Sequence, residues 1–233
     1  MPWTNESLHD VREFIKSNFG SVEAYSSAGL KIYSFGYKYD DMGEIKTVQV
    51  DLMFTSDIHY AQFMYHSPNY KNQESKFKGL YRTNLLVIVA NNTPVPDAGL
   101  KTEYFTDLDF NGSCTGEVKS FWKYTLSYEE GLKIVHKSYV GIKKPLKNPQ
   151  TVKSDTIIVT KDINKILKII LGPDATVANC NSFESVVDYL CEHKSKIELD
   201  KIFDEFLSDD RHKPMYDECE EYIYNSMKKH GKI

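Results

Sequence analysis

Thr47-Val48-Gln49-Val50-Asp51-Leu52-Met53-Phe54 alternates in a way that only an extended strand satisfies, with Val48, Val50, Leu52 and Phe54 on one face and Gln49, Asp51 and Met53 on the other. Upstream, residues 30–39 alternate as well, placing Tyr33, Phe35, Tyr37 and Tyr39 together. Asp40-Asp41-Met42-Gly43-Glu44 between them carries the acidic and glycine residues of a hairpin connection. The stretch therefore predicts two antiparallel strands with a single carboxylate, Asp51, inside the second. A carboxylate among apolar strand residues costs several kcal/mol unless it is paired, hydrogen-bonded or on a metal. The plain reading places Asp51 on the wet face of an edge strand, or beside Lys31 or Lys46; a metal ligand is the functional one.

Outward from the hairpin, Thr4 can cap a helix with Leu8, Val11, Phe14 and Ile15 at helical spacing and Gly20 as its stop. Residues 57–65 read as a helix; His59 within it and His66 just past it lack the neighbours of a zinc site. Ser75 can cap a further helix bearing Phe77, Tyr81, Leu85 and Ile88 as an apolar stripe, with Lys78 and Arg82 one turn apart beside it. The plain reading of that pair is a solvated basic flank.

Val50-Asp51-Leu52-Met53 after a hairpin, followed by Ser75-Lys76-Phe77-Lys78-Gly79-Leu80-Tyr81-Arg82, resembles phage-encoded nucleotidyltransferases of the DNA polymerase β-like superfamily. In that superfamily a late strand of the form apolar-Asp-apolar carries the third catalytic carboxylate. The resemblance implies that Asp51 is catalytic and holds Mg²⁺, and that Ser75, Lys76, Lys78 and Arg82 steady a nucleoside triphosphate. It also implies transfer of a nucleoside monophosphate to an acceptor that no residue identifies. The superfamily's Gly-Ser and Asp-x-Asp are not matched, because Gly20-Ser21 is followed by no Asp-x-Asp. One Asp cannot hold two cations, so the missing carboxylates would come from an upstream segment or a protein partner. The alternative is an inactive remnant that serves as a binding or structural protein.

The expected fold class is α+β: an incomplete palm over residues 1–92, with a short mixed sheet and helices, a linker at 93–100, and a mainly helical domain at 101–233. The linker rests on Pro94, Pro96 and Gly99. Within the third region, Ser127-x-x-Glu130 predicts a capped helix through Leu132, Val135 and His136, and residues 157–159 a short strand. Helices are expected at 162–171, 182–192, 197–207 and 216–229. Asp107-Leu108-Asp109-Phe110-Asn111-Gly112 opens like a calcium loop, but Val118 stands where the bidentate Glu is needed, so a glycine-centred turn is expected.

A net charge of −4 argues against a broad nucleic-acid footprint. The longest apolar run, residues 85–90, is far short of the ~20 residues that cross a bilayer. Cys114, Cys180, Cys191 and Cys219 fall at no metal or disulfide-framework spacing, so reduced thiols in a cytoplasm, a host's if the chain is phage-encoded, are the simplest expectation.

Overall fold

The hairpin forms as its alternation requires. In the computed structural model, β1 (Ile32–Asp41) pairs antiparallel with β2 (Glu44–Met53). Met42 and Gly43 both take positive φ, 55° and 91°, the backbone of a two-residue turn whose twist matches its strands. Asp40 Oδ1 accepts from the Gly43 N–H at 2.6 Å, which closes the turn. The register sets Phe35 opposite Val50 and Tyr37 opposite Val48 on one face, and Ser34 opposite Asp51 and Gly36 opposite Gln49 on the other.

The structure describes residues 10, 13–18, 32–53, 55–66, 75–96, 104–108, 114–142, 151–208 and 216–233. The chain forms two compact units, Met1–Ile58 and His59–Ile233. In the first, besides the hairpin, residues 13–18 are helical, as the spacing of Phe14 and Ile15 predicts; Thr4 and Gly20, its expected ends, lie outside the described residues.

The second unit is built around a helix with no polar side. α1 (Ile58–Met64) starts at the division, and α2 (Gly79–Asn92) follows. Residues 85–90 are apolar without interruption, so burying one stripe would leave the rest of the surface in water. The fold buries nearly all of it: Leu85, Leu86, Val89 and Ala90 are at most 1% exposed. On one flank α2 packs against β4 (Cys114–Ser127) and on another against α4 (Phe183–His193) and α5 (Lys196–Leu207). β3 (Tyr104–Leu108), β4, β5 (Gly131–Ile142) and β6 (Thr151–Thr160) form an antiparallel sheet in sequence order. α3 (Ile163–Ile170) and α6 (Tyr216–Lys229) complete the helices.

The class is α+β, with short sheets and a helical region at residues 163–229. Both described sheets are antiparallel, where a short mixed sheet was expected, and β3, β4 and β5 occupy a stretch expected to be mainly helical. The expected division at 93–100 falls inside the second unit. The Thr93 hydroxyl there lies 2.8 Å from Val89 O and 3.3 Å from Ile170 O, tying the end of α2 to α3. The reason is the burial of α2, whose covering layers come from residues on the far side of that supposed linker.

The helix expected from Ser127 is instead the β4–β5 turn. Ser127 Oγ accepts from the N–H groups of Glu129 and Glu130 at 3.3 and 3.2 Å, the bonds of an N-cap made in a tight turn. Gly131, at φ +84°, then reverses the chain. Leu132 and Ile134, spaced by two, bury on one face of β5 opposite Leu126 and Tyr124. The other expected helices form, α3 capped by Asp162 Oδ1 on Lys165 N, α4 by a Ser182/Ser185 box, and α5 by a Ser195/Glu198 box. The Ser195 bonds hold the Glu198 carboxyl below the usual range. Residues 157–159 lie in β6 as expected, and the glycine turn at 109–113 lies outside the described residues.

A Cβ on Gly131 would meet the backbone carbonyl of Thr160 in a left-handed conformation. Gly131→Ala is therefore expected to cost about 2 kcal/mol or more in urea unfolding; a change under about 0.5 kcal/mol would show that the turn relaxes freely.

Candidate functional site

Asp51 lies in the first unit, in β2, on the face shared with Ser34, Gly36 and Gln49. Its side chain is exposed, and Gln49 Nε2 donates to its Oδ1 at 2.9 Å. Among the described residues the apolar surroundings expected from sequence are not found: the opposite face is itself half open, with Val48 45% and Leu52 36% exposed. Desolvation therefore gives Asp51 no reason to need a metal.

Ser75, Lys76, Lys78 and Arg82 lie in the second unit. Ser75 does not cap α2, which starts at Gly79 with Lys78 at the cap position and no side-chain cap bond. It is buried; Oγ accepts from Phe77 N at 3.0 Å and sits 2.8 and 3.0 Å from the two oxygens of Glu184. The Lys76 N–H donates to Glu184 Oε1 at 3.0 Å. A hydroxyl and a backbone N–H converging on one anion are the donors that a phosphate would use. Here the anion is the protein's own, carried in the first turn of α4, where a helix favours negative charge.

Arg82 is 1% exposed, which corrects the solvated-flank reading. Nε donates to Cys180 O, and Nη1 to Phe63 O at 2.7 Å; Cζ stands 4.4 Å from the Phe63 ring centroid. Next to it Thr83 Oγ1 donates to Met64 O at 2.7 Å. These acceptors include carbonyls at the end of α1, which the helix itself leaves without donors. Burial pulls the guanidinium pKa down to about 10, so it stays charged at neutral pH. Lys76 and Lys78 are exposed, and Lys78 stands outside the helical turn that orients Arg82. Of the four, one cation is turned inward and one hydroxyl is engaged.

Two carboxylates that sequence reasoning passed over organise this unit. Glu184 had a signal, an acid two residues after the Ser182 cap. Asp188 accepts from Ser226 Oγ at 2.6 Å and from Tyr222 OH at 3.2 Å, and Lys229 Nζ lies 3.8 Å away. Tyr222, Ser226 and Lys229 share one face of α6, a spacing visible in sequence without its partner. Burial first, then the Asp188 charge, raises the Tyr222 phenol well above its ordinary range. Cys180 and Cys219 are buried, and burial pushes each thiol up to about 12.

His59 and His66 are exposed. Among the described residues no group of three His, Cys, Asp or Glu side chains is placed to hold a metal ion, and no helix is long and apolar enough to cross a membrane. No protein-family model matches the chain, and no curated protein or solved structure is detectably similar to it.

Arg82→Met removes the guanidinium's bonds to the buried Phe63 and Cys180 carbonyls and is expected to cost about 2–5 kcal/mol in denaturant unfolding. Lys78→Ala should stay within about 0.5 kcal/mol of the parent. Equal, small effects of both changes would return Arg82 to the role of a solvated flank.

Proposed function

We propose that the chain acts by binding another protein, and that the segment resembling a nucleotidyltransferase serves as scaffold for that role. The observation that carries this reading is the closure of Ser75 Oγ and Lys76 N–H on Glu184, together with the burial of Arg82 in the core. To take a triphosphate, the unit would have to displace its own carboxylate and extract a guanidinium that holds α1 to α2. Each step gives up buried hydrogen bonds worth more than about 1 kcal/mol.

The hairpin offers what a protein partner uses. Tyr37 and Tyr39 are 42% and 41% exposed beside Val48, and Met42 and Ile45 stand out at the tip. Aromatic residues half in water on a paired strand bury area at small side-chain entropy cost when a partner covers them. A photo-crosslinker at position 39 should capture one defined partner in the source cell, and the same group at position 49, on the polar face, should not. Equal capture from both faces would count against the hairpin as the docking element.

A second reading, transfer of a nucleoside monophosphate with Mg²⁺, is favoured by the exposure of Asp51 on a wet strand face. Asp51 supplies one carboxylate, and the remaining donors of a two-cation site would come from outside the described residues or from a partner chain. Calorimetric titration with Mg²⁺-ATP and Mg²⁺-GTP separates the readings. The protein-binding reading expects no saturable heat and no change on replacing Lys76 and Lys78 by Ala. Saturable binding that falls a hundredfold in the double variant, with Mg²⁺-dependent labelling lost in Asp51→Asn, would establish the transferase.

A further inference from the structure

At the β1–β2 turn, Met42 departs from what folding alone would favour in two ways. Its φ of 55° is left-handed, and among the described residues no other non-glycine takes a positive φ. Asn, Asp and Gly suit the central positions of this turn type, and other residues hold that backbone at a cost. Its side chain, large and apolar, is also fully exposed, at 103%. An Asn at position 42 would relieve the backbone and suit the water, so neither feature helps the hairpin to form. Strain and apolar exposure that coincide at one residue point to a task outside the chain.

The rest of the tip shows how a partner would meet it. From Tyr37 to Gln49 every residue is exposed apart from Asp41 and Lys46, whose side chains are held together at 2.5 Å. Residues 37–41 alone span roughly 17 Å of strand. The pairing sets Tyr39 on one face, opposite Lys46, and Ile45 on the other, opposite Asp40. Tyr39 is half-exposed and Ile45 is 65% exposed. Apolar surface is thus offered on both faces and at the end between them; a flat partner would cover one side of it, and a pocket covers all three. Around it, residues 40–46 carry Asp40, Asp41 and Glu44 against Lys46 alone, and the Glu44 side chain is 76% exposed.

Building on the protein-binding reading above, we propose that the tip is a plug: Met42, with Tyr39 and Ile45 to either side, enters an apolar pocket of a partner protein whose mouth carries basic residues. The unbranched, polarisable methionine side chain fills pockets of irregular shape. The acidic collar steers the tip toward a basic mouth and is repelled by an anionic lipid surface.

Two measurements on the full chain test the plug. Met42→Asn relieves the turn, so hydrogen exchange of the β1 and β2 amides should slow about threefold. Exchange that is unchanged or faster would give Met42 a structural role and overturn the proposal. In the second, a photo-crosslinker at position 42 is activated in the source cell, and the captured protein is identified by mass spectrometry, purified and titrated by calorimetry with the parent and its variants. Met42→Leu should bind within about threefold of the parent, and Met42→Asn about tenfold or more weakly. Glu44→Lys should weaken binding about tenfold at low salt and less at high salt. Adducts of the chain with itself, or cosedimentation with phosphatidylcholine or phosphatidylglycerol vesicles that Met42→Asn abolishes, would put a second copy or a membrane in the partner's place and overturn the proposal. Capture from position 39 and not from 42, or a captured protein that binds Met42→Asn as tightly as the parent, would overturn the plug and leave the hairpin as a docking face. No capture from either position would overturn both.

Discussion

Burial of α2 on nearly every side is the constraint on which the second unit depends. Residues 85–90 offer no polar stripe to solvent, so covering them takes a sheet on one flank and helices on others. Those layers come from the chain beyond residues 93–100. A helix in this position also internalises any polar residue it carries, and each must then find partners within the protein. Arg82 finds the carbonyls of Phe63 and Cys180, and Thr83 finds that of Met64. The same contacts fix where α1 ends and how the Cys180 turn meets the helix, so one buried cation coordinates three segments.

Sequence pattern revealed elements wherever local chemistry and periodicity agree. The hairpin was legible because alternation flanks an acidic, glycine-containing turn, and α3, α4 and α5 because apolar residues recur at helical spacing; in the structure a capping side chain also precedes each run. Ser127 shows the failure of a local signal. Its hydroxyl makes the bonds of a cap, yet Gly131 reverses the chain before a helix can propagate, and Leu132 and Ile134 repeat at the period of two that a strand requires, while Leu132, Val135 and His136 had offered the helical spacing. Strands β3 to β5 were missed for a related reason: they pair with their neighbours in sequence, but their alternation is interrupted by polar residues and competes with helix-like spacing such as that after Ser127.

The candidate site was less legible than the fold. Ser75, Lys76, Lys78 and Arg82 form a cluster of the right types to hold phosphate, and type is what sequence displays. Which way each side chain faces depends on neighbours far along the chain: Glu184, over a hundred residues on, takes the Ser75 hydroxyl and the Lys76 N–H, and Cys180 takes Arg82. Asp51 is the converse case. Its strand neighbours suggested an apolar setting, and the hairpin instead leaves both of its faces partly open to water.

Glu184 fills the anion position formed by Ser75 and Lys76, and the Lys76 amide proton reports directly by NMR whether it stays there. In the parent its resonance should remain where a charge-assisted bond to a carboxylate places it as Mg²⁺-ATP is added to saturation, and it should move upfield in Glu184→Gln, which weakens that bond. A saturable movement of the Lys76 resonance in the parent on adding the triphosphate, with none caused by Glu184→Gln, would contradict the account and reopen the position as a nucleotide site.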